Sequence, residues 1–342
     1  MNEKVEKIID DSPQDFYIFK SLVTMERKIK QYKNILCSIS GGADSDIILD
    51  LCTKFDTEKK IIYAFYDTGL EYVATKKHLD YLEKKYGIEI KREKAIKPVA
   101  VGCKQYGQPF LSKRLSQNIS RLQKHNFQWE NDKFEDLCIR YPKCKSALKW
   151  WCNEWGEESQ FNVSRYPYLK EFMIESPPNF LISDKCCDGA KKKVSMALKD
   201  KYNCDLNITG LRKAEGGGRS TAIKSCFSEN EAGANYRPIF FYSDKTKEIY
   251  NEHYEIQNSD CYSMYGLKRT GCAGCPFGLK FEYELEVLEK YEPRLYKVAN
   301  HVFRDSYEYT RKYKKYRQQR KIEEKEKETG HQIHIDEFEN VV

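Results

Sequence analysis

Apolar and polar positions along this chain follow two different rhythms. Residues 35–39 (ILCSI) form a nearly unbroken apolar run, and residues 45–54 then return to apolar side chains at helical spacing. The first segment reads as a buried strand and the second as a helix. The pair then recurs: residues 61–66 (IIYAFY) give a second strand, residues 72–86 a helix, and residues 88–91 a third extended segment. Strands alternating with helices predict right-handed parallel crossovers, hence an α/β fold built on a doubly wound parallel sheet. Ligands of such sheets gather beyond the strand C-termini. Upstream, residues 3–33 carry apolar positions at mixed helical spacing, among them Val5, Ile8, Ile9, Phe16, Phe19, Leu22 and Met25. Asp11, Ser12 and Pro13 divide this stretch into two helices, with Ser12 as the second N-cap and Pro13 in its first turn.

Farther along, the pattern loosens. Residues 97–183 are rich in aromatics and hold all four tryptophans, Trp129, Trp150, Trp151 and Trp155. They read better as anchors of a helical insertion than as stacking platforms. Residues 206–210 (LNITG) give the next strand, followed by Leu211-Arg212-Lys213 and a cluster of Gly216, Gly217 and Gly218. Residues 238–242 begin another element, Ser243 caps a helix through Tyr254, and a helix-rich region runs past Gly278 to about Lys327. The expected organisation is N-terminal helices at 1–33, a nucleotide-binding α/β domain at 34–225 with its helical insertion, a cysteine-containing region at 226–300 and a basic helical tail at 301–342.

The junction between the first strand and its helix holds the main chemical signal. Ser40, Gly41, Gly42, Asp44 and Ser45 form the pattern S-G-G-x-D-S. Paired glycines let backbone approach an oxyanion, and the amides opening the helix point at the same place. Ser40 and Ser45 add hydroxyl donors, and Asp44 suits a magnesium ion or a helix cap. No Gly-Lys-Ser/Thr follows, so this is not a Walker loop. It resembles the pyrophosphate loop of the adenine nucleotide alpha-hydrolases, which bind ATP and cleave it between the alpha and beta phosphates.

Composition narrows the setting. The 342 residues, 40% hydrophobic and 32% charged, suffice for a real core and suggest about two domains. No apolar stretch approaches a membrane span and no signal-peptide core is visible, so a cytoplasmic protein is expected. The net charge of +7 owes much to Arg311, Lys312, Lys314, Lys315, Arg317, Arg320 and Lys321. Tyrosines interleave these residues, a pattern suited either to a solvated helix face or to a nucleic-acid backbone.

Thirteen cysteines in a reducing compartment call for an explanation other than disulfides. Cys186 and Cys187 are adjacent, and Cys272-Ala273-Gly274-Cys275-Pro276 follows after 84 intervening residues (188 to 271). Thiolate-only ligation is the usual mode for iron–sulfur clusters, whose several iron corners can accept adjacent cysteines. Zinc and plain structural thiols are the alternatives. Cys226 is a substitute ligand that would leave one of the tandem thiols free for chemistry.

The glycine loop, Asp67-Thr68-Gly69, the tandem cysteines, the strand with Gly210, Leu211 and Arg212, and the late C-x-x-C occur in one order. Together they resemble the phosphoadenosine phosphosulfate reductase family over roughly residues 33–300. The resemblance implies a [4Fe-4S] cluster on Cys186, Cys187, Cys272 and Cys275. It also implies that Arg212, and Arg219 beyond it, face phosphate or sulfate, with Asp67, Thr68 and Gly69 near the nucleotide.

Two departures separate this chain from reductases of activated sulfate. Those enzymes carry a nucleophilic cysteine near the C-terminus, whereas Cys275 is the last cysteine here. Their loops are commonly degenerate, and this one is intact. The expected function is therefore an ATP-dependent sulfur transferase, like the DNA-phosphorothioation and thioamide or tRNA thiolases. It would adenylate an acceptor with Asp44 and Arg212 at the reacting phosphates, using ATP and Mg2+, and then insert sulfur from a donor such as a cysteine desulfurase. The acceptor is unspecified, and a nucleic acid would suit the basic tail. The alternatives are an adenylyl-sulfate or phosphoadenylyl-sulfate reductase producing sulfite, and a nucleotide- or redox-sensing module.

Overall fold

The computed structural model describes residues 3–216, 222–231, 233–277 and 281–329. The chain divides into two compact units. The first comprises residues 1–100, 187–273 and 283–296, and the second residues 101–186, 274–282 and 297–342.

The first unit is an α/β sandwich around a six-stranded sheet. Its strands are β1 (Ile35–Ile39), β2 (Ile61–Asp67), β3 (Ile90–Lys94), β4 (Leu206–Ile208), β5 (Phe227–Asn230) and β6 (Gly233–Tyr236). The order is β3-β2-β1-β4-β6-β5, parallel throughout except for β5, which pairs antiparallel with β6. Period-two alternation explains the layering. Ile35, Cys37 and Ile39 point into one core with α1 (Glu3–Asp10), α2 (Phe16–Gln31), α3 (Ala43–Phe55) and α4 (Val73–Tyr86). Leu36 and Ala64 point into a smaller core on the opposite face, with Val194 and Leu198 of α10 (Lys193–Lys201). Both faces are covered, as a doubly wound sheet requires. Because β1 has β2 on one side and β4 on the other, the chain reverses direction across the sheet at β1. The loop after β1 therefore opens at the topological switch point.

The expected strands are found, each shifted by a few residues at most. The division of the N-terminal helices is corrected in detail. Asp15, not Ser12, caps α2, its carboxylate accepting from the amides of Tyr17 and Ile18 at 2.8 and 3.0 Å. Pro13 lies in the connection rather than in the helix. Ser243 does cap the helix Asp244–His253, through Thr246 N at 3.0 Å.

The second unit is helical, with α5 (Val99–Tyr106) at its start, then α6 (Lys113–Lys124), α7 (Phe134–Arg140), α8 (Lys145–Trp151), α9 (Leu169–Glu175) and the long helix Arg304–Thr329. Trp129, Trp150 and Trp151 lie in its core with Phe110, Phe127, Phe172, Tyr309 and Tyr313, while Trp155 stands 44% exposed. The tryptophans thus act mainly as core anchors. Three tyrosines of the basic segment, Tyr307, Tyr309 and Tyr313, are buried too, so their interleaving with lysines records helix packing. No helix among the described residues is long and apolar enough to cross a membrane.

Candidate active site

The loop after β1 takes the shape its glycines permit. Gly41 has φ +66°, in the left-handed region, and a Cβ there would stand 2.7 Å from Thr75 Cγ2. A side chain would be strained both by its backbone and by its neighbour. Gly42 is the N-cap of α3, so Asp44 is not the cap. Ser45 Oγ accepts from Gly42 N at 3.1 Å and donates to Gly42 O at 2.8 Å, bracing the turn. Ala43 N donates to Tyr262 Oη at 3.1 Å. A Cβ on Gly42 would meet Thr270 Oγ1 and Tyr262 Oη at 2.9 and 3.0 Å, and Ser40 Oγ at 3.4 Å. The helix opening is therefore closely faced by three hydroxyls.

β4 delivers the second half of the site. A Cβ on Gly210 would lie 3.2 Å from Asp44 O, so the strand end passes close against the first turn of α3. Two residues later, the Arg212 guanidinium, 6% exposed, donates from Nε to Asp44 Oδ2 at 3.0 Å and from Nη1 to Asp244 Oδ1 at 2.9 Å. Lys247 Nζ reaches Asp44 Oδ1 at 2.8 Å. One carboxylate is thus shared by two cations brought by separate elements. Arg219 lies outside the described residues.

Just behind this, Asp46 is fully buried and its Oδ2 lies 2.9 Å from His78 Nε2 of α4. Burial pushes the Asp46 carboxyl upward, and the His78 hydrogen bond partly opposes that.

The loop after β2 is organised by a residue that the motif reading passes over. Buried Glu71 accepts from Thr68 N at 2.9 Å, Thr68 Oγ1 at 2.5 Å and Gly69 N at 3.1 Å. Burial raises the Glu71 carboxyl, and neighbouring Asp67 pushes it the same way. The sequence signal is the spacing Thr68-x-x-Glu71, that of a reciprocal cap. Asp67 accepts from Gly69 N at 3.0 Å and pairs with Lys76 at 3.4 Å.

This loop touches the C-x-x-C segment. Ala273 N donates to Leu70 O at 2.7 Å, and Thr68 Oγ1 lies 3.4 Å from Cys272 Sγ. Burial pushes the Cys272 thiol above its ordinary value, the Lys191 ammonium pulls it back, and Cys187 acts on it electrostatically. Lys191 belongs to a π-helical turn, Asp188–Lys192, directly after Cys187. Gly189 pins that turn, with O accepting from Lys97 N at 3.3 Å. In the second unit, Cys186 is buried, its Cα 3.0 Å from where a Gly102 Cβ would stand. Also there, Tyr307 Oη donates to Gly274 O just before Cys275.

Cys187 and Cys272 thus belong to the sheet unit, whereas Cys186 and Cys275 belong to the other unit. Cys226 precedes β5 and its O accepts from Arg237 N at 2.7 Å. Three strand spacings, roughly 14 Å, separate β6 from β2, near whose end Cys272 stands. The donor set Cys186, Cys187, Cys272 and Cys275 has the all-thiol chemistry of an iron–sulfur ligand set. Among the described residues, however, no three His, Cys, Asp or Glu side chains are gathered as a metal site.

With this geometry in view, the chain can be set beside known proteins. Residues 34–149 match the phosphoadenosine phosphosulfate reductase domain. The matched third of the chain includes the glycine loop and Asp67-Thr68-Gly69. No curated protein matches the chain. Among solved structures, it is similar to the phosphoadenylyl-sulfate reductase of Candida auris, in a phosphate complex, at 9% identity and TM-score 0.42, covering 80% of this chain and 95% of that one. The NH3-dependent NAD synthetase of Campylobacter jejuni, in complex with a nitrate ion, gives 12% identity and TM-score 0.35, over 89% and 96%. The U34-tRNA thiolase of Methanococcus maripaludis, with its [4Fe-4S] cluster, gives 14% and 0.34, over 86% and 80%. At these TM-scores the three likenesses carry no argument about what this chain does.

Proposed function

We propose that this chain is an ATP-dependent sulfur transferase that adenylates an acceptor oxygen, releases pyrophosphate, and then lets sulfur replace that oxygen as AMP departs. The observation that carries this reading is the intact loop at the switch point, with left-handed Gly41 and the α3 amides facing the side on which Arg212 meets Asp44. ATP would lay its pyrophosphate on Gly41, Gly42 and the opening of α3, with Ser40 as a hydroxyl donor and Ser45 bracing the turn through Gly42. Arg212 would neutralise charge at the reacting phosphate, and Asp44 would hold Mg2+ once its cations turn to the nucleotide. Asp67, Thr68 and Gly69 would border the nucleotide on the β2 side. Positioning and charge neutralisation suffice for adenylation, with no covalent role for the protein.

Cys186, Cys187, Cys272 and Cys275 would hold a [4Fe-4S] cluster, which supplies a binding place for sulfur when present. The sulfur itself would come as hydrosulfide, released by a thiol reductant from the persulfide of a donor protein such as a cysteine desulfurase, and the acceptor would be a nucleic acid or another oxygen-bearing substrate. A cytoplasmic setting suits these reactive thiols.

The test is direct. Anaerobic protein with ATP, Mg2+, a sulfur donor and candidate acceptors should release pyrophosphate and AMP. With adenylyl sulfate or phosphoadenylyl sulfate and thioredoxin it should give little sulfite. Robust sulfite production, lost in one Cys→Ser variant that keeps its iron, would overturn the proposal and favour the reductase. Binding of ATP with no turnover under any of these conditions would favour a sensing module.

A further inference from the structure

We infer that Lys247 is a second phosphate-binding cation of the nucleotide site, parked on Asp44 until a triphosphate arrives. The inference rests on the reading that ATP occupies the loop after β1, and it adds a residue that no local motif marks.

The argument begins with placement. Lys247 is the fourth residue of the helix Asp244–His253. A lysine this near a helix N-terminus opposes the helix dipole, so an anion must compensate it. That anion is Asp44, 2.8 Å away, and it is the same carboxylate that Arg212 holds at 3.0 Å. Side-chain exposures are 20% for Lys247, 21% for Asp44 and 8% for Arg212. Two poorly hydrated cations from different elements therefore share one carboxylate in the first turn of α3, beside the glycine loop.

The charge balance makes this arrangement an exchange device. If a divalent cation takes Asp44 alone, Lys247 loses the ion pair it makes among the described residues and is left with the longer-range charge of Asp46, while Arg212 keeps Asp244, whose side chain is 81% exposed, and the neighbouring Glu215. Stranding partly buried cations is unfavourable. A phosphate arriving alone would crowd the Asp44 carboxylate. When metal and phosphate arrive together, Asp44 passes to the metal and both cations pass to phosphate oxygens. Lys247, a compact point charge on a flexible stem, suits this transfer. The beta and gamma phosphates of ATP are the groups it would meet, since the alpha phosphate alone does not extend along the loop. Lys247 thus selects triphosphate over monophosphate.

The experiment measures binding by calorimetry, with MgATP and with AMP, for wild type, Lys247→Met and Lys247→Arg. Lys247→Met should weaken MgATP roughly tenfold or more, the size expected for one charge-assisted contact, while AMP weakens by less than about threefold. Lys247→Arg should recover most of the MgATP affinity. Unchanged MgATP affinity in Lys247→Met would overturn the inference while leaving the nucleotide reading intact. So would equal losses for MgATP and AMP, or a loss that Lys247→Arg fails to recover, since either marks a structural role. Wild-type protein that binds no ATP would overturn the nucleotide reading itself.

Discussion

The two units bury their polar groups for different ends. In the first, carboxylates sit inside or half inside the protein: Asp44 between Arg212 and Lys247, Asp46 on His78, Glu71 on the Thr68–Gly69 turn. Asp50 accepts from Tyr250 Oη at 2.6 Å and Tyr86 Oη at 3.1 Å. In the second unit one carboxylate, Asp184, is buried on Gln117 Nε2 at 2.7 Å, and the aromatic core instead carries aromatic tips that serve nearby backbone. Trp151 Nε1 donates to Glu130 O at 2.8 Å, Tyr309 Oη to Ser176 O at 2.8 Å and Tyr313 Oη to Pro167 O at 2.9 Å. Buried charge is costly and persists where something holds it. Its concentration in the sheet unit, and its absence from the aromatic core, separates the two units.

The sharpest way to break this comparison is to damage the aromatic core. Trp151→Ala removes a fully buried indole in contact with Phe127, Trp129 and Trp150. It should cost about 3–5 kcal/mol, read by denaturant unfolding. ATP affinity of the protein that remains folded should stay within about threefold, well under the 1.4 kcal/mol that a tenfold change represents. A collapse of ATP affinity at full folding would mean that the chemistry is not confined to the sheet unit.

Gly41→Val does the reverse. Positive φ and the close Thr75 methyl should cost about 1–3 kcal/mol, and a branched side chain where phosphate must meet amides should abolish ATP binding. Asp44→Ala should be milder for stability, since Arg212 keeps Asp244, yet should weaken MgATP at least about tenfold. Calorimetry and thermal melts on the same samples separate the two effects. A variant pair with normal nucleotide affinity would reduce the loop to an ordinary strand–helix turn.

What could be read in advance follows from locality. β1 has the expected bounds because its apolar run is continuous and its exit is a glycine turn. β5 and β6 escape notice because FSEN and GANY are four-residue strands at the sheet margin, with β5 largely exposed. The S-G-G-x-D-S loop is legible because a left-handed glycine leaves a mark on the sequence. The contact of Arg212 with Asp44 spans 168 positions, and no local pattern encodes it. Lys247 and Tyr262 are invisible for the same reason. Glu71 had a signal in its spacing from Thr68, overshadowed by the glycine beside it. The cap at Asp15 rather than Ser12 reflects a carboxylate that reaches two amides at once.

The smallest expected effect tests how the sheet unit joins the loop after β1 to its thiols. Tyr262 Oη accepts from Ala43 N at the opening of α3 and lies 3.3 Å from Thr270 Oγ1, two residues before Cys272. The segment 262–273 therefore leans on the loop after β1 at one end and on Leu70 and Thr68 at the other. Tyr262→Phe keeps the ring and deletes the hydroxyl. Stability should fall by about 0.5–1.5 kcal/mol, the usual net worth of one hydrogen bond. If the tyrosine oxygen stands where a phosphate oxygen would accept from Ala43 N, the deletion removes a competitor and MgATP should bind a few-fold more tightly, roughly 0.5–1 kcal/mol. Alkylation of Cys272, followed by mass spectrometry with and without MgATP, reads the far end of the segment. In wild type, nucleotide should change the Cys272 labelling rate by displacing Tyr262; in Tyr262→Phe that change should shrink. An equal response in both proteins would show that nucleotide and thiol sites are neighbours without being coupled through this tyrosine.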